Sequence, residues 1–287
     1  MSIRRFAEIH EFNQPSLSLL HMQEFLKTKN LEIEIAFFSP ESSESLFVDL
    51  KKLKAFDFLR LTYESSQKIL EGWGTQPAQV RLLGCCDTFL HEGKSFGPRV
   101  ILYEILREAI IAKVSDHDIK ETGYVICNDM KGRLLVSLLL SLGHRKVFLV
   151  GEDEDFVNRE VEFLQRFHIG TEILGLSAND LTLQTTRASI LINTIHFSDD
   201  NPILNDLVYF NFMKSGGAVL DLDFEKNKSL LLEEAQRASL KVLAPTYVSS
   251  FYDFSLIKKL NLGADFSFAE FEKSWVRFLS EKTQNSP

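Results

Sequence analysis

The residues best suited to metal, thiol or phosphate chemistry do not form a recognisable motif. The seven histidines show no metal-ligand spacing. Cys85 and Cys86 are adjacent rather than arranged as Cys-x-x-Cys, and they fall in an apolar run that predicts buried thiols. The EGKS segment at 92–95 lacks the glycine that a P-loop requires five residues before Gly93. The sequence therefore predicts no metal site and no P-loop.

Composition and charge favour a folded protein of the cytoplasm. Of the 287 residues, 45% are hydrophobic and 25% are charged, as in globular domains. The net charge of −8 disfavours nucleic acid, because a phosphate backbone needs a basic face. The odd count of three cysteines favours a reducing compartment. The N-terminus lacks an apolar signal core, and the apolar stretch 134–142 is too short to cross a bilayer, so we expect no membrane partner.

Short apolar runs rich in Val, Ile and Phe alternate with longer amphipathic segments. Strands are predicted at 31–38, 56–63, 80–90, 123–128, 146–151, 189–195, 218–224 and 241–246. Helices are predicted at 19–29, 100–114, 131–143, 155–167 and 229–239. The strands are apolar on both sides, which is typical of parallel strands covered by helices on both faces. The alternation therefore predicts an α/β fold.

The polar segment 115–122 follows a long amphipathic helix and predicts a domain boundary. We expect an N-terminal α/β domain at 1–114 and a second domain at 115–246. The strand–helix order of the second domain is typical of a Rossmann-like, nucleotide-binding domain. The aromatic-rich helices of 247–287 are expected to return to the first domain.

Five segments match, in order and with similar gaps, segments of one known family. They are SLS at 16–18, LRLT at 59–62, LLGCCDTFLHEGKSFG at 82–97, ILINTI at 190–195 and LDLDFEKNKSLLLEEAQ at 220–236. Together they resemble the shikimate dehydrogenases of aromatic amino acid biosynthesis. The resemblance implies an N-terminal substrate domain, a Rossmann domain that binds NADP, and hydride transfer between NADPH and 3-dehydroshikimate.

The substrate side of the family's site is partly matched. Ser16 and Ser18 match two serines that hold the substrate carboxylate, and their hydroxyls can donate to an anion. Thr62 matches a family threonine, and Asp87 falls where the family has Asn. A carboxylate at Asp87 would repel a nearby carboxylate but could accept from sugar-like hydroxyls. The other interpretation of Ser16 and Ser18 is that they are turn and helix-cap residues.

The catalytic side is not matched. The family's lysine falls at Ser66, its aspartate at Ile101, and the glutamine of its C-terminal helix at Ser250. Lys68 is the remaining catalytic candidate, but two residues along a helix is a rotation of roughly 200°. General acid–base assistance contributes about 10²–10⁴-fold to a rate, so these replacements predict impaired catalysis.

The cofactor side is also altered. The family's glycine-rich turn aligns with 127–131, where Asp129 adds negative charge at the place of the phosphates. Lys131, Gly132 and the helix N-terminus remain as candidate anion contacts. After the next strand the family has Asn-Arg for the 2′-phosphate of NADP, whereas this chain has Gly151, Glu152 and Asp153. An acid such as Glu152 there would suit the ribose hydroxyl of NAD. The alternative is that Glu152 belongs to an acidic cluster at a helix N-terminus. NADP or NAD is thus implied by the resemblance only.

Two functional hypotheses follow. The first is a shikimate dehydrogenase-like pseudoenzyme that binds a small molecule or a partner in the cleft between its domains. The second is an active NAD(P)-dependent oxidoreductase that acts on shikimate or a related hydroxy acid. A scaffold without a ligand is a third hypothesis, and the chain is expected to be a monomer or a homodimer.

Overall fold

The computed structural model describes residues 3–9, 14–39, 50–114, 118–177, 180–181, 187–196, 210–223, 229–263 and 265–284. The chain forms two compact units. The first comprises Met1–Ile105 and Ser249–Pro287, and the second comprises Leu106–Val248. Parts of two segments used in the sequence analysis, 115–117 and 224–228, lie outside the described residues.

A five-stranded mixed sheet forms the centre of the first unit. Its strands are β1 (Arg4–Ile9), β2 (Ile33–Phe38), β3 (Phe58–Arg60), β4 (Thr88–Glu92) and β5 (Ser95–Arg99). They lie in the order β2-β1-β3-β4-β5. β1 pairs parallel with β2 and β3, whereas β3–β4 and β4–β5 are antiparallel. The β4–β5 hairpin turns at Gly93, whose φ of 63° is easily reached only by glycine.

The first helices of the chain flank these strands in sequence. They are α1 (Leu17–Thr28), α2 (Leu50–Leu53), α3 (Tyr63–Glu71), α4 (Ala78–Leu83) and α5 (Ile101–Lys113). The strand predicted at 80–90 was wrong in its first half, because 78–83 forms α4. Val80 and Leu83 are both buried, and their spacing of three residues fits a helix as well as an apolar run.

The second unit contains a six-stranded parallel sheet. Its strands are β6 (Thr122–Ile126), β7 (Lys146–Gly151), β8 (Glu172–Ser177), β9 (Ala188–Asn193), β10 (Met213–Asp221) and β11 (Lys241–Leu243). Their order is β11-β10-β9-β6-β7-β8, which is the order of a Rossmann sheet. The order reverses between β6 and β9, and ligands of such sheets bind outside the carboxyl ends of the strands at this point.

The helices of the second unit confirm the predicted alternation. They are α6 (Lys131–Ser141), α7 (Glu154–Gln165) and α8 (Leu230–Arg237). Gly132 brings α6 close to β7, since a Cβ atom at this position would lie 3.0 Å from Leu149 Cδ1. Gly132 therefore has a packing role between α6 and β7.

Two further helices follow, α9 (Pro245–Leu260), which belongs to the first unit from Ser249 onward, and α10 (Phe268–Gln284). Trp275, Phe278 and Leu279 of α10 form a buried cluster against Leu20 of α1. Within the described residues, no helix has both the length and the apolar character needed to cross a membrane.

Candidate functional site

A ring of three polar side chains lies inside the first unit. Arg60, at the end of β3, donates from Nη2 to Asp253 Oδ1 at 2.7 Å and from Nη1 to Ser18 Oγ at 2.7 Å. Ser18 Oγ in turn donates to Asp253 Oδ2 at 2.7 Å. The Asp253 side chain is 2% exposed and that of Arg60 is 20% exposed. The ring is therefore a largely buried, charge-assisted site whose anion belongs to the chain itself.

The neighbouring elements fix this ring in place. The β1–β3 register puts Glu8 opposite Arg60. The guanidinium carbon lies 4.9 Å from the centre of the Tyr252 ring, a cation–π contact. The Tyr252 hydroxyl shares a hydrogen bond of 2.7 Å with Thr88. Arg60 is thus oriented from β1, β4 and α9.

Burial and charge pairing act against each other at this ion pair. Burial raises the pKa of Asp253, although Arg60 and the Ser18 hydroxyl favour its ionised form. Burial disfavours charge on Arg60 too, but Asp253, Tyr252 and Glu8 together outweigh this effect, and the pKa of the guanidinium rises above its usual range. Removing one partner of such a pair leaves an uncompensated buried charge, which is costly.

Ser16 satisfies the helix-cap interpretation. Its hydroxyl accepts the Leu19 N–H at 3.1 Å at the start of α1. The same hydroxyl donates to Glu8 Oε2 at 2.8 Å, and the Ser16 N–H also donates to the Glu8 carboxylate. Ser16 and Ser18 therefore both donate to carboxylates of the chain, and only Ser16 is a cap.

Thr62 and Asp87 also accept backbone N–H groups at the starts of helices. Thr62 caps α3 by accepting the Ser65 N–H at 3.2 Å. Asp87 accepts the Ile101 N–H at 2.9 Å and the Leu102 N–H at 2.8 Å, at the start of α5. Burial raises the pKa of Asp87 to about 6, although these backbone bonds oppose the shift.

The three residues expected at the places of the family's lysine, aspartate and glutamine lie in the interior. Ser66, Ile101 and Ser250 are fully buried. Ser66 Oγ accepts the Cys86 N–H at 3.0 Å and donates to the Tyr63 carbonyl at 2.6 Å. Lys68 is exposed on α3, and among the described residues its side chain forms no hydrogen bond or ion pair. Neither Ser66 nor Ile101 supplies a charged proton-transfer group.

The turn after β6 carries its own anion. Asp129 Oδ1 accepts the Lys131 N–H at 2.8 Å, and Asp129 Oδ2 pairs with Lys131 Nζ at 2.9 Å. The Gly132 N–H donates to the Asp129 carbonyl, and the Arg133 N–H to the Met130 carbonyl, both at 3.1 Å. The first three N–H groups of α6, which would face a phosphate at an open helix start, are thus all paired within the turn.

Arg133 and the cofactor candidate Glu152 are also paired with groups of the chain. Arg133 Nη2 donates to the buried Glu160 at 2.9 Å, and its guanidinium carbon lies 3.8 Å from the centre of the Phe163 ring. Glu152, exposed at the end of β7, exchanges two hydrogen bonds with Asn128: Nδ2 of Asn128 donates to Oε2 at 2.8 Å, and the Glu152 N–H donates back at 3.0 Å. The adjacent Asp153 caps α7.

Polar side chains at the carboxyl ends of β9 and β10 form a separate network. Asp221 accepts from Asn193 at 3.1 Å and from Ser229. His196 Nδ1 lies 2.9 Å from Asp223.

Burial raises the pKa of Cys127 to about 12, so this thiol is not an activated nucleophile. No group of three or more metal-type ligands occurs among the residues that the structure describes.

Glu8, Arg60 and Asp253 were not among the site residues predicted from the sequence. Asp253 gives the clearest signal, because it is the only charged residue of α9 before Lys258. A charge at a position that the periodicity predicts to be buried requires a partner, and this signal could have marked all three residues.

Comparisons of sequence and structure give different results. The sequence matches no protein-family model and no curated protein. The structure is similar to shikimate 5-dehydrogenase from Thermus thermophilus in complex with shikimate, with a TM-score of 0.74 and 18% identity over 97% of this chain and 100% of that chain. Quinate dehydrogenase from Corynebacterium glutamicum in complex with NAD gives a TM-score of 0.77 and 12% identity over 96% and 99% of the two chains. The chain therefore has the fold of the shikimate and quinate dehydrogenases.

Proposed function

We propose that this chain is a catalytically impaired relative of the shikimate dehydrogenases, which binds a small molecule or a partner and does not transfer hydride. The observation that carries the proposal is the Asp129 carboxylate, which accepts the Lys131 N–H at 2.8 Å at the start of α6. An anion of the chain thus lies where a dinucleotide pyrophosphate would need these donors.

The residues of this turn do not fit a pyrophosphate. A phosphate at α6 would lie close to the Asp129 carboxylate, and two negative charges at that distance repel each other. Lys131 is already paired with Asp129, and Arg133 with Glu160. The buried Ser66 and Ile101 support the same conclusion for proton transfer, because neither can act as the family's lysine or aspartate does.

Ligand titration tests the proposal. We expect neither NADP⁺ nor NAD⁺ to raise the melting temperature, whereas a ligand at about 100 times its dissociation constant stabilises a protein by roughly 2.7 kcal/mol. The Thermus thermophilus shikimate dehydrogenase serves as the positive control in the same buffer. A nucleotide shift together with oxidation of shikimate or quinate would contradict the proposal.

A matched pair of variants separates Asp129 from general charge effects. Asp129→Gly removes the internal anion, and with it the acceptor of the Lys131 N–H and the carboxylate that pairs with the Lys131 ammonium. Asp155→Asn removes one negative charge from the first turn of α7 instead. We expect Asp129→Gly to gain nucleotide affinity relative to both Asp155→Asn and the wild type. Equal, strong binding by all three proteins would show that Asp129 does not block the turn.

A second candidate function is that of an active NAD-dependent oxidoreductase. The observation that favours it is the exposed Glu152 at the end of β7, held by Asn128 at 2.8 Å, because an acid at this position suits a ribose hydroxyl. Its test is a melting-temperature shift with NAD⁺ but not NADP⁺ that is lost in Glu152→Gln. The absence of an NAD⁺ shift in the wild type would rule it out.

A further inference from the structure

The Arg60–Ser18–Asp253 ring has the chemistry of a carboxylate-binding site that is already filled. Two donors, the guanidinium of Arg60 and the hydroxyl of Ser18, bind the two oxygens of one carboxylate at 2.7 Å each. Donors that converge on both oxygens of a carboxylate are what such recognition requires. Here the carboxylate is on α9, 193 residues from Arg60 and 235 residues from Ser18 in sequence.

We infer that Asp253 is a specificity-determining residue: it is the built-in occupant of the carboxylate site formed by Ser18 and Arg60, it excludes small carboxylic acids from that site, and removal of its side chain creates a binding site for acetate or formate. The inference concerns the first unit and goes beyond the proposed function, whose evidence lies in the turn after β6.

A free carboxylic acid cannot use this site while Asp253 is present. Arg60 Nη2 and the Ser18 hydroxyl already donate their hydrogen bonds to Asp253. A second carboxylate would also be repelled by the charges of Asp253 and of Glu8, which is opposite Arg60 in the β1–β3 register. Displacing Asp253 would also leave its carboxylate, 2% exposed, without its partners inside the unit.

The donors are held independently of Asp253. Arg60 stacks on Tyr252 and donates to Ser18 at 2.7 Å, and neither contact needs the Asp253 side chain. Truncating Asp253 therefore leaves a fixed guanidinium and hydroxyl next to a hole of about the size of a small carboxylate. A free anion that enters the hole restores both the lost bonds and the lost charge.

The test compares Asp253→Ala with Asp253→Asn. Each is titrated with sodium acetate and sodium formate, against sodium chloride at equal ionic strength. At about ten times its dissociation constant, acetate should raise the melting temperature of Asp253→Ala by about 3–6 °C beyond chloride. Asp253→Asn fills the hole and loses the charge, so acetate should act on it no more than chloride does. Adding Ser18→Ala to Asp253→Ala should weaken acetate binding about tenfold, the loss of one charge-assisted hydrogen bond.

If Asp253→Ala does not fold, a second truncated variant tests the same inference. Asp253→Ser leaves a smaller hole and is titrated with formate, which should stabilise it in the same selective way. Wild-type protein should show no acetate or formate shift beyond chloride. A Ser18-dependent acetate shift in the wild type, equal rescue of Asp253→Asn, or no selective shift in either truncated variant would overturn the inference. None of these outcomes depends on the nucleotide experiment, so the two can fail separately.

Discussion

At the scale of single residues, three aspartates receive hydrogen bonds that a ligand anion would receive in an open site. Asp253 accepts from Arg60 and Ser18, Asp129 from the start of α6, and Asp87 from the start of α5. The environments differ, because Asp253 and Asp87 are buried whereas Asp129 is partly exposed. Burial raises the pKa of both Asp253 and Asp87.

The pH dependence of stability should reveal Asp87. Burial raises the pKa of Asp87 from 3.8 to about 6, so the folded state binds a proton more tightly than the unfolded chain. The stability that this proton contributes is complete below the unfolded pKa and is lost as the pH rises through about 6. Relative to Asp87→Asn, the wild type should gain about 2 kcal/mol in unfolding free energy between about pH 7.5 and about pH 4.5.

Urea unfolding at the two pH values measures this difference. A direct readout is the amide proton shifts of Ile101 and Leu102, which donate to Asp87 and should titrate together near its pKa. A free-energy difference that does not change with pH would contradict the assignment.

His21 should act in the opposite direction. It is buried among Phe271, Trp275 and Phe278, its Nε2 is 3.0 Å from Ser274 Oγ, and its Nδ1 has no partner among the described residues. Burial lowers the pKa of His21 from 6.5 to about 4, so between these values the unfolded chain binds more protons. Relative to His21→Gln, the wild type should lose about 2.5 kcal/mol between about pH 7.5 and about pH 4.5.

Ser274→Ala is the matched control, because it removes the hydrogen bond and keeps the imidazole. It should lose stability at both pH values and keep the pH dependence of the wild type. If His21→Gln keeps that dependence as well, His21 is not its source.

At the scale of elements, Ser66 joins α3 to the segment before β4. Its hydroxyl accepts the buried Cys86 N–H at 3.0 Å, and this backbone group has to be paired because water cannot reach it. A hydroxyl is therefore what this position needs structurally. A lysine here would place an ammonium group at a fully buried site.

Substitutions on α3 should separate structure from catalysis. Ser66→Ala leaves the Cys86 N–H unpaired and should cost about 1–3 kcal/mol in unfolding free energy. Lys68→Gln, on the exposed side of the same helix, should change stability by less than about 0.5 kcal/mol. Urea unfolding gives both values. A loss of any measured ligand binding in Lys68→Gln at unchanged stability would instead assign Lys68 a functional role.

At the scale of the whole molecule, the titrations of Asp87 and His21 have opposite effects on stability, so the melting temperature should change little as the pH falls. Asp87 favours the folded state as the pH falls, and His21 favours the unfolded state over nearly the same interval. We expect the melting temperature of the wild type to change less between about pH 7.5 and about pH 4.5 than that of either Asp87→Asn or His21→Gln, in opposite directions for the two variants. Parallel changes in all three proteins would contradict this compensation.

The sequence by itself determined the class of fold and most of the elements. Apolar periodicity and strand–helix alternation are local signals, because burial selects residue types at each position along an element. The order of the weak family-like segments added the particular fold, which the structural comparisons bear out. The missed strands were β1, β5 and β8, and β5 begins inside the family-like segment 82–97. β1 was hidden by Arg4, Arg5 and Glu8, charges that local patterning counts as exposed although Glu8 is buried.

Only the tertiary structure decided how the candidate site residues are used. The sequence predicted that Asp129 lies in the turn at 127–131, which aligns with the family's glycine-rich turn. The structure shows that the Asp129 carboxylate accepts the Lys131 N–H. The pairing of Ser18, Arg60 and Asp253 joins residues up to 235 positions apart, and a hydrogen bond of that separation leaves no periodic trace in the sequence. Whether a serine binds a ligand or a carboxylate of its own chain depends on which groups folding brings within about 3 Å of it, and that distance is set by the packing of β1, β3 and α9.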